Sequence, residues 1–325
     1  MIFSDENDLK ARVKELTGRE IYGRPEITSD TTDYARVHGG MILRLEGNDY
    51  FVTGNATEGR FGLDDEPKIW VKYVVDLASG EKKLLKLVFR EEFSTRVGPF
   101  LVRARRSPEK EIRILKIVKG NPHFMQGREI FDQAGNPGRL IEFVRGPRLY
   151  SHLLEIDADH KTYFFKMFPN ILAELLKAFK AMAFLLSHGE QHGDIRSDHI
   201  IIEAATGCYV WIDFDYEVSH RDYDLWSLGN ALAFAVGKGA HTFHDVLSNP
   251  SLYPGCPDKS CLLPEDCLLT RVNQVACLRK LFPYIPEKLN RILTNFSVGT
   301  TCFYEDVNVL LADLEEVANL LPAPA

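Results

Sequence analysis

The sequence predicts an α+β fold in which strands occupy the first part of the chain and helices the second. Between residues 50 and 90 the apolar residues alternate, as they do in strands with one buried face. From residue 164 onward they recur at helical spacing. Strands gathered in one part and helices in another are typical of α+β proteins, because each set of elements packs as its own layer.

The length of the chain allows two linked lobes. With 325 residues and 45% apolar residues, it is long enough to bury more than one core. We predict an N-terminal extension over residues 1–45, a strand-rich lobe over 46–144 and a helical lobe over 145–325. The segment from residue 19 to residue 40 is polar and rich in turn residues, which suits an extension that wraps a core domain.

Charge and hydropathy exclude several classes of protein. A net charge of −7 argues against a nucleic-acid binder, because such proteins present a basic face. The stretch Arg103-Ala104-Arg105-Arg106 is interpreted as a solvated loop or helix end. No apolar run is long enough to span a bilayer, and the first residues are acidic rather than signal-like. We therefore expect a cytoplasmic protein without a membrane span.

The six cysteines form no CxxC pair. Cys256, Cys261 and Cys267 share a proline-rich loop, at spacings wider than zinc sites prefer. Reduced thiols are the expectation for this loop, and a zinc site is the alternative.

The sequence also predicts where individual helices and strands lie. Ser107 and Pro108 are typical of a helix start, since Ser caps the first turn and Pro suits the first helical position, and this helix is expected over residues 108–119. The other predicted helices are 6–16, 164–187, 224–236, 287–295 and 305–320, and the predicted strands are 50–52, 69–75, 83–89, 140–144, 200–202 and 209–214.

Asp194 and Asp213 are the strongest candidates for chemistry. They lie nineteen residues apart, in the runs His-Gly-Asp-Ile-Arg and Ile-Asp-Phe-Asp, and two predicted strands join them. Phosphoryl transfer needs one carboxylate to orient the attacking hydroxyl and another to hold Mg²⁺ against the phosphates. Such a transition state needs positioning and positive charge more than covalent chemistry.

These two runs resemble the protein-kinase-like superfamily, over roughly residues 45–320. The HGD form with a following IDFD is similar to kinases of small molecules and of lipopolysaccharide sugars. The resemblance implies a bilobal kinase-like fold, with ATP and Mg²⁺ (or Mn²⁺) as cofactors. It also implies that Asp194 is the catalytic-loop aspartate, that Arg196 contacts the γ-phosphate and that Asp213 binds the metal.

Further positions match the same resemblance. Lys86, between apolar neighbours in a strand, resembles the lysine that anchors ATP, and Glu111 resembles the helix glutamate that pairs with it. Glu142 and Val144 resemble hinge positions whose backbone faces adenine.

The run Thr57-Glu58-Gly59-Arg60-Phe61-Gly62 resembles the phosphate-covering loop, in which Gly59 and Gly62 let backbone N–H groups approach phosphates. Threonine stands where the family has its first glycine. Asp224 resembles the aspartate that accepts hydrogen bonds from the catalytic-loop backbone, which is a structural role.

The sequence also departs from the family. His199 occupies the position of the second metal-binding asparagine, although Mg²⁺ prefers oxygen ligands. The alternatives are a single ion, Mn²⁺, Asp198 as a substitute ligand, or loss of catalysis. Asp215 replaces the glycine of protein kinases and is either a metal-facing acid or a turn residue.

The interval between Asp213 and Asp224 contains ten residues, too few for a phosphorylation-controlled loop and a peptide platform. The first hypothesis is an ATP-dependent phosphotransferase acting on a hydroxyl of a protein or a small molecule, similar to Ser/Thr protein kinases. The alternatives are a pseudokinase that binds nucleotide without turnover and a small-molecule or sugar kinase. A metalloenzyme built on His192 and His199 ranks below these, because it leaves Lys86 and Glu111 unexplained.

Overall fold

The computed structural model describes residues 1–60, 63–98, 100–256 and 261–322. Its helices are α1 Glu6–Thr17, α2 Pro108–Ile117, α3 Leu149–Glu155, α4 His160–Lys166, α5 Phe168–Ser187, α6 Tyr223–Gly237, α7 Phe243–Ser248, α8 Glu287–Thr294 and α9 Val307–Ala318. Its strands are β1 Ile27–Thr28, β2 Ile42–Leu45, β3 Asn48–Arg60, β4 Leu63–Asp76, β5 Lys82–Lys86, β6 Glu92–Val97, β7 Phe100–Arg106, β8 Gly127–Phe131, β9 Pro137–Glu142, β10 Ile200–Ile202, β11 Tyr209–Trp211, β12 Tyr216–Val218, β13 Cys267–Leu268 and β14 Arg271–Val275.

The chain forms two compact units. The first, unit 1, comprises residues 1–91, 106–120 and 125–143. The second, unit 2, comprises residues 92–105, 121–124 and 144–325. Unit 1 holds the large sheet with α1 and α2, and unit 2 holds the other helices. The predicted α+β class, with a strand-rich first part and a helical second part, is confirmed.

Unit 1 is built on a seven-stranded sheet in the order β1-β2-β3-β4-β5-β9-β8. Along this order, every neighbouring pair from β2 onward is antiparallel, whereas β1 pairs with β2 in parallel. Leu85 of β5 and Leu140 of β9 lie opposite each other in the register and enter one buried cluster with Val52 and Val74. Helix α1 buries Leu9 and Val13 against a separate cluster. Residues 1–45 therefore contribute one helix and two strands to this unit.

Unit 2 is organised around α5, which packs against α6 and α9. One continuous helix over 164–187 was predicted, and this is wrong, because α4 ends at Lys166 and α5 begins at Phe168. Pro169 lies in the first turn of α5. A proline lacks the N–H that would continue the helix and clashes with the preceding turn, so the chain has to begin a new helix here.

A hairpin of β6 and β7 replaces the predicted basic loop. Val102, Ala104 and Arg106 are buried, whereas the alternating residues Leu101, Arg103 and Arg105 are exposed. The exposed arginines are thus outward positions of a strand, since strand side chains alternate between faces. Within unit 2, β7 pairs with β12 in the order β12-β7-β6.

The cysteine-containing loop also differs from expectation. Cys256 and Cys261 are paired in a disulfide, with Cα atoms 5.5 Å apart, a separation that a disulfide spans. The predicted reduced thiols are therefore wrong for this pair, whereas Cys267 is free. Across the described ranges, no helix combines the length and the apolar character that a membrane crossing requires.

Candidate active site

Helix α2 carries Glu111 into the interior of unit 1. The Ser107 side chain accepts a hydrogen bond from the Lys110 backbone N–H, and Pro108 stands in the first turn, as predicted. The apolar residues Ile112 and Leu115 are buried. Because the cap and the apolar stripe fix where the helix begins and which face is buried, Glu111 is placed on the buried face.

Glu111 is bonded to two cations inside unit 1. Lys86 Nζ lies 2.6 Å from Glu111 Oε1, and Arg139 Nε lies 3.0 Å from Glu111 Oε2. Lys86 is 3% exposed, and Glu111 and Arg139 are both 0% exposed. The predicted pairing of Lys86 with Glu111 is present.

Arg139 was not predicted from the sequence. It lies on β9, directly opposite Lys86 of β5 in the antiparallel register. Its Nη1 also donates to the Leu87 carbonyl at 3.0 Å. The available signal was an arginine within the apolar β9 run, because a charged residue in a buried strand requires a partner.

The remaining predicted nucleotide positions are backbone positions. Glu142 ends β9, and its backbone N–H donates to the Gln126 carbonyl at 2.8 Å, so that N–H serves the sheet. Val144 follows that strand as the first residue of a segment of unit 2. Gly59 lies in β3, and Gly62 lies outside the described residues.

In unit 2, Asp224 fixes the loop that carries Asp194. The backbone N–H of Gly193 donates to Asp224 Oδ1 at 2.8 Å, and the N–H of His192 donates to Asp224 Oδ2. Asp224 is buried at the start of α6. The predicted structural role of Asp224 is therefore confirmed.

The His199 ring lies close to both candidate carboxylates. Its Nδ1 is 2.8 Å from the Asp194 backbone oxygen and 3.5 Å from Asp194 Oδ2, and its Nε2 is 3.9 Å from Asp213 Oδ2. A carbonyl oxygen only accepts hydrogen bonds, so Nδ1 must carry a proton. In the neutral ring the Nε2 lone pair then lies on the side of Asp213.

Burial raises the pKa of Asp194, although His199 and Arg196 partly oppose that shift. Asp213 and Asp215 add to it through repulsion between carboxylates. Asp194 is thus held less acidic than an ordinary aspartate.

Arg196 is bonded within the same loop. Its Nε donates to Asp198 Oδ1 at 2.9 Å, and its Nη2 donates to Asp198 Oδ2. Burial alone would raise the pKa of Asp198, but His199 and Arg196 outweigh it and the pKa is lowered. Because both carboxylate oxygens of Asp198 bond Arg196, Asp198 is poorly placed to substitute as a metal ligand.

Asp213 has an unusual backbone conformation. Its φ of 61° lies in the left-handed region, which aspartate tolerates better than most residues. The next residue, Phe214, is buried and packs edge-on against Phe124 and His192. This contact anchors the Ile-Asp-Phe-Asp run beside the His-Gly-Asp loop.

The short interval after Asp213 is held in a sheet. It contains β12, which pairs with β7, and the Ser219 N–H donates to the Arg103 carbonyl at 2.9 Å. Arg105 Nη2 lies 2.6 Å from Glu217 Oε2. Beneath the hairpin, Val97 and Val102 form a buried cluster with Trp226. This interval is therefore a strand bonded to a hairpin, which the sequence did not predict.

His199 and the neighbouring carboxylates could contribute ligands to a divalent cation. Within the described part of the chain, no group of three or more His, Cys, Asp or Glu residues is arranged to hold a metal. His199 and Asp213 form a facing pair. Two protein ligands suit a cation that completes its coordination with phosphates and water, as Mg²⁺ does in phosphotransferases. The pair fits that mode and does not fit an all-protein metal site.

Known proteins that are similar to the chain include a plant kinase and a bacterial kinase domain. No family model matches the chain. Over 262 residues, which are 68% of this chain, the sequence is 22% identical to CDPK-related kinase 4 of Arabidopsis thaliana. This similarity supports the protein-kinase-like superfamily. The chain spans 40% of the length of that kinase. Among solved structures, the PknI kinase domain of Mycobacterium tuberculosis aligns with 84% of this chain and 97% of its own length, at 12% identity and a TM-score of 0.49.

Proposed function

We propose that the chain is an ATP-dependent phosphotransferase that transfers the γ-phosphoryl group to a hydroxyl. The observation that carries this proposal is the position of the His199 ring, 3.5 Å from Asp194 Oδ2 and 3.9 Å from Asp213 Oδ2. Phosphoryl transfer requires one carboxylate that orients the nucleophile and another that binds the metal.

Asp194 would orient the acceptor hydroxyl and take its proton. A general base works best when its pKa approaches the working pH. The raised pKa of Asp194, caused first by burial, moves this carboxylate in that direction. Because Asp224 holds the backbone on the N-terminal side of Asp194, the loop is organised before substrate binds.

Asp213 and His199 would hold the divalent cation, Mg²⁺ or Mn²⁺. Such a cation neutralises charge on the phosphate oxygens. Lys86, held by Glu111, would bind the phosphates. The backbone of Glu142 and Val144 would face adenine, and Gly59 and Gly62 would cover the phosphates. Arg196 is bonded to Asp198, and its contact with the γ-phosphate remains a prediction.

The segment after Asp213 bears on the class of the phosphate acceptor. The ten residues between Asp213 and Asp224 contain a strand bonded to the β6–β7 hairpin. A peptide platform of the protein-kinase type would need a longer segment at this place. This favours the small-molecule or sugar acceptor over a protein acceptor.

The proposal is tested by thermal shift and turnover. ATP with Mg²⁺ or Mn²⁺ should raise the melting temperature of the wild-type protein, because a ligand of the native state stabilises it. Radiolabelled ATP should show slow hydrolysis or autophosphorylation. A nucleotide shift without any turnover would identify a pseudokinase instead. Neither a shift nor turnover with either metal would refute the phosphotransferase.

A further inference from the structure

The Lys86–Glu111–Arg139 cluster contains more positive charge than a simple ion pair. Two cations share one carboxylate, and all three side chains are buried in unit 1. Each carboxylate oxygen has its own donor, Oε1 from Lys86 and Oε2 from Arg139. Glu111 is therefore the shared partner of both cations.

Arg139 is anchored independently of Lys86. Its strand β9 lies beside β5 in the sheet, and its Nη1 donates to the Leu87 carbonyl at 3.0 Å. A planar guanidinium with two separate bonds has little freedom to turn away. Its Nη2 is buried and has no hydrogen-bond partner in the described structure. The guanidinium is thus fixed by Glu111 and the sheet rather than by a surrounding polar network.

Lys86 differs, because its ammonium is a flexible point charge. If Lys86 were to turn toward a phosphate, a Glu111 with no second partner would be left as a buried, uncompensated charge. Such a charge is strongly destabilising. The bond from Arg139 to Oε2 removes that penalty, since the carboxylate keeps a cation whatever Lys86 does.

We propose that Arg139 is a positioning residue that keeps Glu111 and helix α2 docked on the sheet independently of Lys86. Because Glu111 keeps Arg139 as a partner, its bond to Lys86 can be given up when an anionic ligand binds Lys86. The docking of α2 is an internal property of unit 1. Only the benefit to an anionic ligand rests on the proposed phosphotransferase.

The first experiment measures hydrogen exchange of the α2 backbone amides without nucleotide. Arg139→Met removes the charge at similar length, and Lys86→Met is the matched control on the opposing strand. Arg139→Met is expected to lower α2 protection at least about tenfold, and Lys86→Met less than about threefold. Equal losses in the two variants, or a larger loss in Lys86→Met, would overturn the proposal. If Arg139→Met does not fold, Arg139→Gln is measured by the same criterion.

The second experiment asks whether the charge or merely the volume of Arg139 matters. Arg139→Lys should recover most of the α2 protection lost in Arg139→Met, whereas an effect of packing alone would not be recovered, because lysine and methionine have similar volumes. ADP titration should show about fivefold weaker binding in Arg139→Met than in Arg139→Lys. Equal ADP affinities would refute the part of the proposal that concerns the ligand. If the wild type binds no ADP, the phosphotransferase fails while the exchange experiment still decides the role of Arg139.

Discussion

Glu111 in unit 1 and Asp194 in unit 2 are both acids that the sequence singles out, but their surroundings are opposite. Glu111 receives a cation on each oxygen, from Lys86 and Arg139. Asp194 faces the His199 ring at 3.5 Å, and burial raises its pKa. Glu111 therefore has a cationic partner on each oxygen, whereas the surroundings of Asp194 disfavour its ionised form.

These surroundings suit Glu111 to a structural role and Asp194 to a chemical role. A buried carboxylate with two cationic partners is costly to disturb, so it suits a fixed brace. A carboxylate whose charge is disfavoured accepts a proton more readily, so it suits a general base. The same substitution, acid to amide, should therefore have opposite consequences at the two positions.

The largest effect is expected from Asp194→Asn on turnover. An amide cannot accept the hydroxyl proton, so phosphotransfer should fall by roughly 10²–10⁴-fold. The nucleotide-induced thermal shift should remain within a degree or so of that of the wild type. Turnover is measured as release of labelled phosphate from ATP at saturating metal.

Asp213→Asn provides the matched comparison for that experiment. Here the shift with ATP and metal should itself shrink, since Asp213 is assigned to the metal. Turnover in Asp194→Asn above about a tenth of the wild-type rate would remove Asp194 from the chemistry.

Next in size is the loss of stability in Glu111→Gln. The amide removes the buried carboxylate that Lys86 and Arg139 share, so the free energy of unfolding should fall by about 3 kcal/mol or more. Glu109→Gln is the control on the same helix. Glu109 pairs with Arg90, with both side chains about half exposed, so its loss should stay below about 1 kcal/mol. Urea unfolding at neutral pH measures both, and equal losses would contradict the view of Glu111 as a buried brace.

The contrast between the two acids also marks what the sequence could predict. Lys86 with Glu111 and Asp194 with Asp213 follow from local motifs and from their order along the chain. Arg139 does not, because its bond to Glu111 depends on the register of β9 against β5. A motif read along one stretch of sequence contains no information about register.

The β6–β7 hairpin was missed for a related reason. Arg103 and Arg105 suggested a solvated loop, whereas in the structure they are the exposed positions of β7. Strand propensity depends strongly on the neighbouring strand. The partner here, β12, lies more than a hundred residues further along the chain. Helix α2, by contrast, was predicted well because its cap and apolar stripe are local.

A smaller effect is expected from His199→Asn on the metal. An imidazole nitrogen favours Mn²⁺ over Mg²⁺ relative to an amide oxygen, so Mn²⁺ affinity should drop about tenfold. Paramagnetic resonance of the Mn²⁺-loaded protein should show a nitrogen coupling that the variant lacks. His188→Asn, at the exposed end of α5, should leave both unchanged. A wild-type spectrum without nitrogen coupling would exclude His199 as a ligand.

The smallest effect is expected from Asp194→Asn on stability, and it has the opposite sign to that of Glu111→Gln. Because the folded-state pKa of Asp194 is raised above its usual 3.8, the ionised carboxylate costs stability at high pH, and this cost disappears as pH falls through the folded pKa. The variant should therefore be more stable than the wild type at pH 8, with a difference that vanishes toward pH 4. About a fifth of the side chain reaches solvent (21%), which keeps the effect small.

Asp198→Asn is the control on the same loop, since the pKa of Asp198 is lowered. Its carboxylate contributes stability above the usual pKa, so this variant should be less stable than the wild type at pH 8, and the deficit should shrink as the pH falls through the folded pKa. Thermal unfolding at pH 8 gives the two signs directly, and at pH 4 the gain in Asp194→Asn should have vanished, whereas the deficit in Asp198→Asn should persist because its folded pKa lies below the usual 3.8. If both variants were destabilised at pH 8, the contact of the Asp194 carboxylate with His199 would outweigh its burial, and the contrast with Glu111 would be one of degree rather than of kind.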